Sequence, residues 1–533
     1  MSHPATGHLM TSLTGGSDGS VAALLRGRAS ATPDARFLRW GDRWWSYAEA
    51  LEEAERVAGF LRQIDAAGGE HRIASYLSNC PEAVWTWFGT QLAGSVYVPL
   101  NRSHKGHLLA DLLSRSGASV LVTSADGLAE LGQLETSGVH HLVVTDADPE
   151  RASAIETLSF ADVRNVAPWS GVTPSPYALA SVMYTSGSTG RSKAVLVPHN
   201  ALARGAVLVA ESFELRADDV WHAWPPIFHM MGQLYVMLGS MAAGAGVALV
   251  PRFSRSGFWR EVCESGATVI CGMASVMRLL WTLEDDEYSR ANQVRLALVS
   301  GAFGDIHRAF EERYKLSIVD CFGMTEAEPA TLPVLGRADP GSHGLASPDF
   351  EVRIFDEADS ELEAGAIGEI VLRPRRASVM FQGYEGDGEA TVRVWRNLWF
   401  HTGDLGFIDP AGVLHFLDRR IYGIRRLGEN ISVWEVEELL HTMPGIAAAV
   451  AVGIDAAPGE QDVKAILVRA PGAQITEPEV HRWCASEMAK FMVPRYVEFL
   501  DELPRLALGK VDRSQLGHAG PGVWDAQAAI LDG

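Results

Sequence analysis

The apolar positions in the first third of the chain alternate between two periods. Short apolar runs at 72–77, 95–100 and 118–123 predict strands. Between them, 81–93 and 107–116 carry apolar residues at helical spacing, and Pro81 suits a first helical turn, where its missing N–H costs nothing. This βαβ alternation implies parallel sheet covered by helices. It resumes beyond residue 203 with strands at 220–223, about 246–250, 269–271, 294–299 and 318–321, and a helix at about 232–243.

From about residue 343 the texture changes to short strands and turns, at 351–355, 368–372, 403–408 and 413–416. Asp409-Pro410-Ala411-Gly412 is a strong turn between the last two. After Asp418 the pattern reads helix 433–441, strands 448–452 and 463–468, helix 477–488 and strand 496–499. The expected fold is α/β. A large N-terminal domain, 1–418, combines βαβ subdomains with a small β subdomain, and a small α+β domain follows at 419–515. The Gly/Ala-rich tail 516–533, with Pro521, is expected to be loosely held.

Size and charge narrow the class. A chain of 533 residues exceeds one ordinary core, and 47% hydrophobic content with mean hydropathy +0.03 suits a globular enzyme. The net charge of −21, from 66 acidic and 45 basic residues, argues against nonspecific binding to nucleic acid or an anionic membrane. An anionic substrate must then be held by local positive groups. Five scattered cysteines without a C-x-x-C pair predict reduced thiols and a cytoplasmic protein. Residues 1–20 lack the apolar core of a signal peptide. The uncharged stretch 232–250 has the length of a membrane span, but glycines at 239, 244 and 246 and Pro251 break it into a buried helix and a short strand.

The densest chemistry lies at 183–199. Thr185, Ser186, Gly187, Ser188, Thr189, Gly190 and Lys193 form a polar turn between two apolar runs. Glycines let backbone N–H groups face an anion, hydroxyls add donors and the lysine adds charge, so the turn suits a polyphosphate. The spacing is not that of a Walker-type loop, and a solvated Ser/Gly loop is the alternative reading.

Further motifs follow in a fixed order. They are Phe322-Gly323-Met324-Thr325-Glu326, Gly368-Glu369-Ile370, Gly383-Tyr384, His401-Thr402-Gly403-Asp404, Asp418-Arg419-Arg420, Gly428-Glu429-Asn430-Ile431-Ser432 with Glu435-Val436-Glu437, and Gly509-Lys510-Val511-Asp512. The set resembles the adenylate-forming superfamily of acyl-CoA synthetases, adenylation domains and luciferases. Its wording is closest to the carnitine/crotonobetaine-CoA ligase-like branch.

The resemblance implies a two-step reaction with ATP and Mg2+. A carboxylate attacks the α-phosphorus to give an acyl-adenylate and pyrophosphate; a thiol, with CoA as the expected acceptor, then displaces AMP. It implies Lys510, on a mobile C-terminal domain, as the adenylation lysine and Lys193 as the charge beside the departing pyrophosphate. Thr325 and Glu326 fall at catalytic positions, Glu326 as the Mg2+ ligand. Gly301, Ala302, Phe303, Phe322 and Gly323 would wall the adenine, and Asp404 and Arg419 would reach ribose and phosphate. His229, Met230, Met231, Gly272, Met273, Ala274 and Met324 would surround the acyl group, with His229 able to close the channel to the thiol. A packed core histidine is the alternative there. Arg425 and Gly428 would line the thiol path. The methionines form a soft apolar cavity, favouring an aromatic or medium-chain acid.

Three positions depart from the superfamily pattern. Arg191-Ser192-Lys193-Ala194 stands where Pro usually precedes and Gly follows the lysine. Ile421 occupies the hinge position, and Leu427 precedes Gly428 where many relatives carry another glycine. Two alternatives stay open: a stand-alone adenylating enzyme serving a free-standing carrier protein or another nucleophile, and a catalytically silent scaffold.

Overall fold

The computed structural model describes residues 4–64, 66–68, 71–131, 138–146, 156–185, 191–301, 303, 306–336, 340–419, 423–427, 429–457, 460–504, 513, 516–520 and 522–531. Two seven-stranded sheets form its large domain. In the first, Glu156–Ser159, His141–Val144, Val120–Thr123, Arg72–Tyr76, Val96–Pro99 and Leu179–Thr185 run parallel, and Lys193–Pro198 closes the edge antiparallel. In the second, Ser317–Val319, Leu296–Ser300, Val269–Met273, Val220–Ala223, Gly246–Leu249 and Arg36–Trp40 are parallel, and Arg43–Ser46 is the antiparallel edge. Near-continuous burial along most central strands is what parallel sheets with both faces covered require.

Helix Pro81–Ala93 has the expected bounds; it starts on Pro81 and ends at Gly94, whose left-handed φ of 72° favours glycine. The 232–250 stretch folds as a π-helix Met231–Leu238, a short helix Gly239–Ala243 and a strand Gly246–Leu249. Among the described residues, no helix is long and apolar enough to cross a membrane. Gly232 is the second residue of the π-helix, and an added Cβ there would lie 2.5 Å from the Pro226 carbonyl oxygen. That close approach fixes the turn carrying His229.

The third sheet is antiparallel, built from Phe350–Phe355, Gly368–Pro374, Trp399–Ile408, Trp395–Arg396 and Leu414–Arg419. A buried ion pair joins this layer to helix His199–Ser212: Arg204 donates to both oxygens of Asp349, at 2.7 and 2.6 Å.

The small domain starts with a hairpin, Gly423–Arg426 paired with Glu429–Ser432, and helix Val433–Thr442. Strands expected at 448–452 and 463–468 extend into a long hairpin, Ile446–Ala457 with Glu460–Arg469. Described residues of the tail pack on the small domain. Trp524–Asp525 adds antiparallel to Tyr496–Phe499, Asp525 accepts from Arg495 at 2.9 and 3.0 Å, and the buried Lys464 donates to the Leu516 and His518 carbonyls. The Gly/Ala composition concealed these anchors. One apolar cluster runs from helix Gly106–Ser116 of the large domain through Leu109 and Leu113 to Ile431, Val436 and Phe491 of the small one.

Candidate functional site

A cavity of about 660 Å3 opens where the carboxyl ends of both parallel sheets meet the antiparallel sheet and the small-domain hairpin. The carboxyl ends of parallel strands leave backbone groups and loops free to meet a ligand. Pro99, Thr185 and Met273 arrive on such strand ends, Trp224 directly follows one, and Leu427 and Glu429 come from the hairpin.

One wall is charged. The Tyr384 hydroxyl donates to Glu326 Oε1 at 2.8 Å, and Lys193 Nζ sits 4.6 Å from the centre of the Tyr384 ring. One tyrosine thus orients the carboxylate and packs beneath the ammonium. Glu326 is 8% exposed, and its carbonyl accepts the Phe381 N–H at 2.7 Å. Two residues on, burial pushes the Glu328 carboxyl up to about 7; the Tyr235 hydroxyl opposes this, and the Glu326 charge adds to it.

Another part of the lining joins the two domains. His229 Nε2 lies 3.1 Å from Glu429 Oε1. Burial favours neutral imidazole, but the Glu429 charge and hydrogen bond together outweigh it and raise the His229 pKa. Burial would raise Glu429, and the same histidine holds it below the usual carboxylate range. His104, beside them, is pushed down to about 4 by burial. The pairing thus favours the charged forms of both His229 and Glu429, while His104 is held neutral at neutral pH.

Beyond the cavity, Gly301 has φ +103°, and its N–H points to Asp320 Oδ2 at 3.4 Å. Burial pushes Asp320 up to about 8, against backbone donors at Cys321 and Gly301 and the Arg425 charge. Arg425 Nη2 lies 3.3 Å from where a Cβ on Gly301 would sit. The small domain thus delivers an arginine to the end of strand Leu296–Ser300.

Thr185, Lys193, His229, Met231, Met273, Gly323, Met324, Thr325 and Glu326 all line the cavity. Others are displaced from it. Met230 is 8% exposed in the main core, and Ala274 and Phe303 pack in the cluster around Phe310, where rings 303 and 310 meet edge to face at 5.3 Å. Gly272 stands behind Trp224, because a Cβ there would fall 2.6 Å from the indole; the indole, not the glycine, lines the cavity. Phe322 and Asp404 are buried beside the cavity rather than on its wall, Phe322 against Phe416. Asp404 pairs in backbone register with Arg419. Ser186–Gly190, Ala302, Gly428 and Lys510 lie outside the described residues, as does the Arg419 side chain.

The sequence alone gave no role to Tyr384, Glu429, Trp224 or Glu369. Glu369 Oε1 accepts the Gly403 N–H at 3.1 Å, and its Oε2 pairs with His401 Nδ1 at 3.0 Å. Apart from Trp224, each of these sits in a motif already singled out; motif membership was the available signal.

Comparison with known proteins gives the class. A family model described as AMP-binding enzyme matches residues 25–385, and one for the AMP-binding enzyme C-terminal domain matches 435–510. The chain belongs to the AMP-binding enzyme family. It is 31% identical over 486 residues to crotonobetaine/carnitine–CoA ligase of Escherichia coli O9:H4 (strain HS), covering 89% of this chain and 93% of that protein. A double mutant of the Bacillus subtilis o-succinylbenzoate CoA synthetase, bound to its product analogue OSB-NCoA, superimposes with TM-score 0.78 at 25% identity, over 92% of this chain and 98% of that one. The same synthetase in complex with AMP gives 0.65 at 26% identity, over 94% and 98%.

Proposed function

We propose that this protein is an AMP-forming acid–CoA ligase, activating a carboxylic acid with ATP and Mg2+ and passing the acyl group to CoA. The observation that carries the reading is the cavity itself. An oriented carboxylate and an ammonium share one tyrosine on one side, an apolar wall of Met231, Met273, Met324 and Trp224 stands on the other, and the small-domain hairpin closes the mouth.

Each residue has a task in this reading. Thr185 and Lys193, with the hydroxyls and glycines of 186–190, bind the β- and γ-phosphates and draw charge from the leaving pyrophosphate. Glu326, held by Tyr384, would hold Mg2+, which supplies neutralisation of phosphate charge when bound. A single carboxylate fits an ion that keeps most of its coordination for water and phosphate oxygens. Lys510 contacts the carboxylate and α-phosphate oxygens during adenylation; Asp404, Arg419 and Phe322 take ribose and adenine. His229, turned toward Glu429, leaves the path from the hairpin to the acyl group, past Arg425 and Gly428. Domain bounds of 1–418 and 419–515 and a cytoplasmic location belong to the same reading. The better superposition on the product-analogue complex than on the AMP complex supports taking the present orientation as the thioester-forming one.

The apolar wall favours an aromatic or medium-chain acid over acetate. A carrier-protein thiol is the second reading. Leu427, with φ +53° and 62% exposure, stands at the mouth that the pantetheine arm of either acceptor would pass. A panel of acids assayed for ATP-dependent pyrophosphate release, with and without CoA, tests both. The ligase reading expects an acid that gives pyrophosphate and a CoA thioester. Pyrophosphate release without a thioester from any acid adenylated would transfer the reading to the carrier thiol.

A further inference from the structure

Ser192 and Glu435 meet across the domain boundary, 243 positions apart in sequence. Ser192 donates its backbone N–H to Glu435 Oε1 at 3.0 Å, and its hydroxyl donates to the same oxygen. Both residues are nearly sealed, at 3% and 5% exposure. The Ser192 carbonyl accepts from Arg115 at 2.8 Å, Arg115 pairs with Asp111 at 3.3 Å, and Arg191 pairs with that same Asp111. On the other side, Glu435 is fixed in the first turn of helix Val433–Thr442, where its N–H bonds the Ser432 hydroxyl at 3.3 Å.

The residue type is the telling point. Proline, usual before the lysine in the superfamily this chain resembles, has neither an N–H nor a hydroxyl and could form neither bond. We propose that Ser192 and Glu435 form an inter-domain latch, two positioning residues that hold the small domain in the orientation seen here, with its hairpin over the cavity. The latch anchors the residue directly before Lys193, so it also ties the end of the phosphate-binding loop to the small domain. Its catalytic consequence rests on the ligase reading above: the latch favours the thioester step and must open for adenylation. Two donors on a carboxylate oxygen offset the cost of burying it, so removing them should loosen the orientation about tenfold.

The test reads orientation and chemistry separately. Spin labels on cysteines introduced at the exposed Val392 of the large domain and Ala485 of the small one, with Cys80, Cys263 and Cys321 replaced by serine, report the inter-domain distance. The wild-type background should give one narrow distance. Ser192→Ala, which loses only the hydroxyl, should broaden it, and Ser192→Pro should shift it further. Glu435→Gln keeps an acceptor oxygen without a charge to bury, so it should retain the narrow distance. In parallel, Ser192→Pro should convert a supplied acyl-adenylate and CoA about tenfold more slowly, while pyrophosphate release from ATP and acid holds. A wild-type distance in Ser192→Pro, or an equal loss in both half-reactions, overturns the latch. If no acid supports pyrophosphate release by the wild type, the ligase reading fails, and the distance measurement alone still decides the latch.

Discussion

At the residue scale, Tyr384 makes Glu326 useful by fixing one carboxylate oxygen, leaving the other side of the group to face the cavity. Replacing Glu326 with Gln keeps the shape and removes the anionic ligand that a hard cation prefers. The expected outcome is a large rise in the Mg2+ concentration needed for half-maximal pyrophosphate release, with little change in melting temperature. Unchanged metal dependence would make Glu326 a structural residue. Asp349 should behave in the opposite way. It is 1% exposed and forked onto Arg204, so Asp349→Ala strands a buried guanidinium and should cost about 3–5 kcal/mol of unfolding free energy, read by denaturant melts. Glu326 and Lys193 were singled out by motifs, and His229 by the resemblance alone. Their partners were not legible: Tyr384 lies 58 positions from Glu326 and Glu429 lies 200 from His229, and a linear pattern carries no signal of such contacts.

At the element scale, the hairpin and the segment around residue 510 should divide the reaction between them. Lys510→Ala is expected to slow acyl-adenylate formation by a factor on the order of 100–1,000 yet still convert a supplied acyl-adenylate. Gly428→Leu should do the reverse, sparing pyrophosphate release and blocking the thioester. Stopped assays of each half-reaction check both, and a matched loss in the two steps would contradict the division. Acidity should bias the same element. Burial pushes Glu435 up to about 7, despite the Ser192 donors and Arg115 and with Asp111 adding to the rise. Once the domains part, the carboxyl returns toward 4.5. The joined orientation therefore holds an extra proton between about pH 4.5 and about pH 7, and is favoured as pH falls through that window. His229, raised by Glu429, acts in the same direction, while Glu429 itself stays charged. The narrow inter-domain distance should be more populated at pH 6 than at pH 8, by the same spin-label measurement; the reverse order would contradict the burial of Glu435. Elements with strong local periodicity, such as Pro81–Ala93 and Val220–Ala223, were legible from sequence. The π-helix was read as ordinary helix, since an apolar run does not distinguish an i→i+5 turn from an i→i+4 one. The docking of Trp524–Asp525 was hidden because only two residues pair.

At the scale of the whole molecule, two parallel sheets, an antiparallel sheet and a small α+β domain converge on one cavity, and a continuous apolar cluster couples the small domain to helix Gly106–Ser116. The change from βαβ alternation to short strands announced this layering in the sequence. The way the hairpin closes the cavity was not announced, because it depends on surfaces brought together only in the folded chain. The central claim is that a carboxylate oxygen of the acid attacks the α-phosphorus of ATP. The most direct measurement uses the acid that best supports turnover, labelled with oxygen-18 in its carboxylate, and determines by mass spectrometry which product carries the label. The account predicts one labelled oxygen in AMP for each acyl group transferred. Unlabelled AMP, with the label in pyrophosphate or inorganic phosphate, would contradict it.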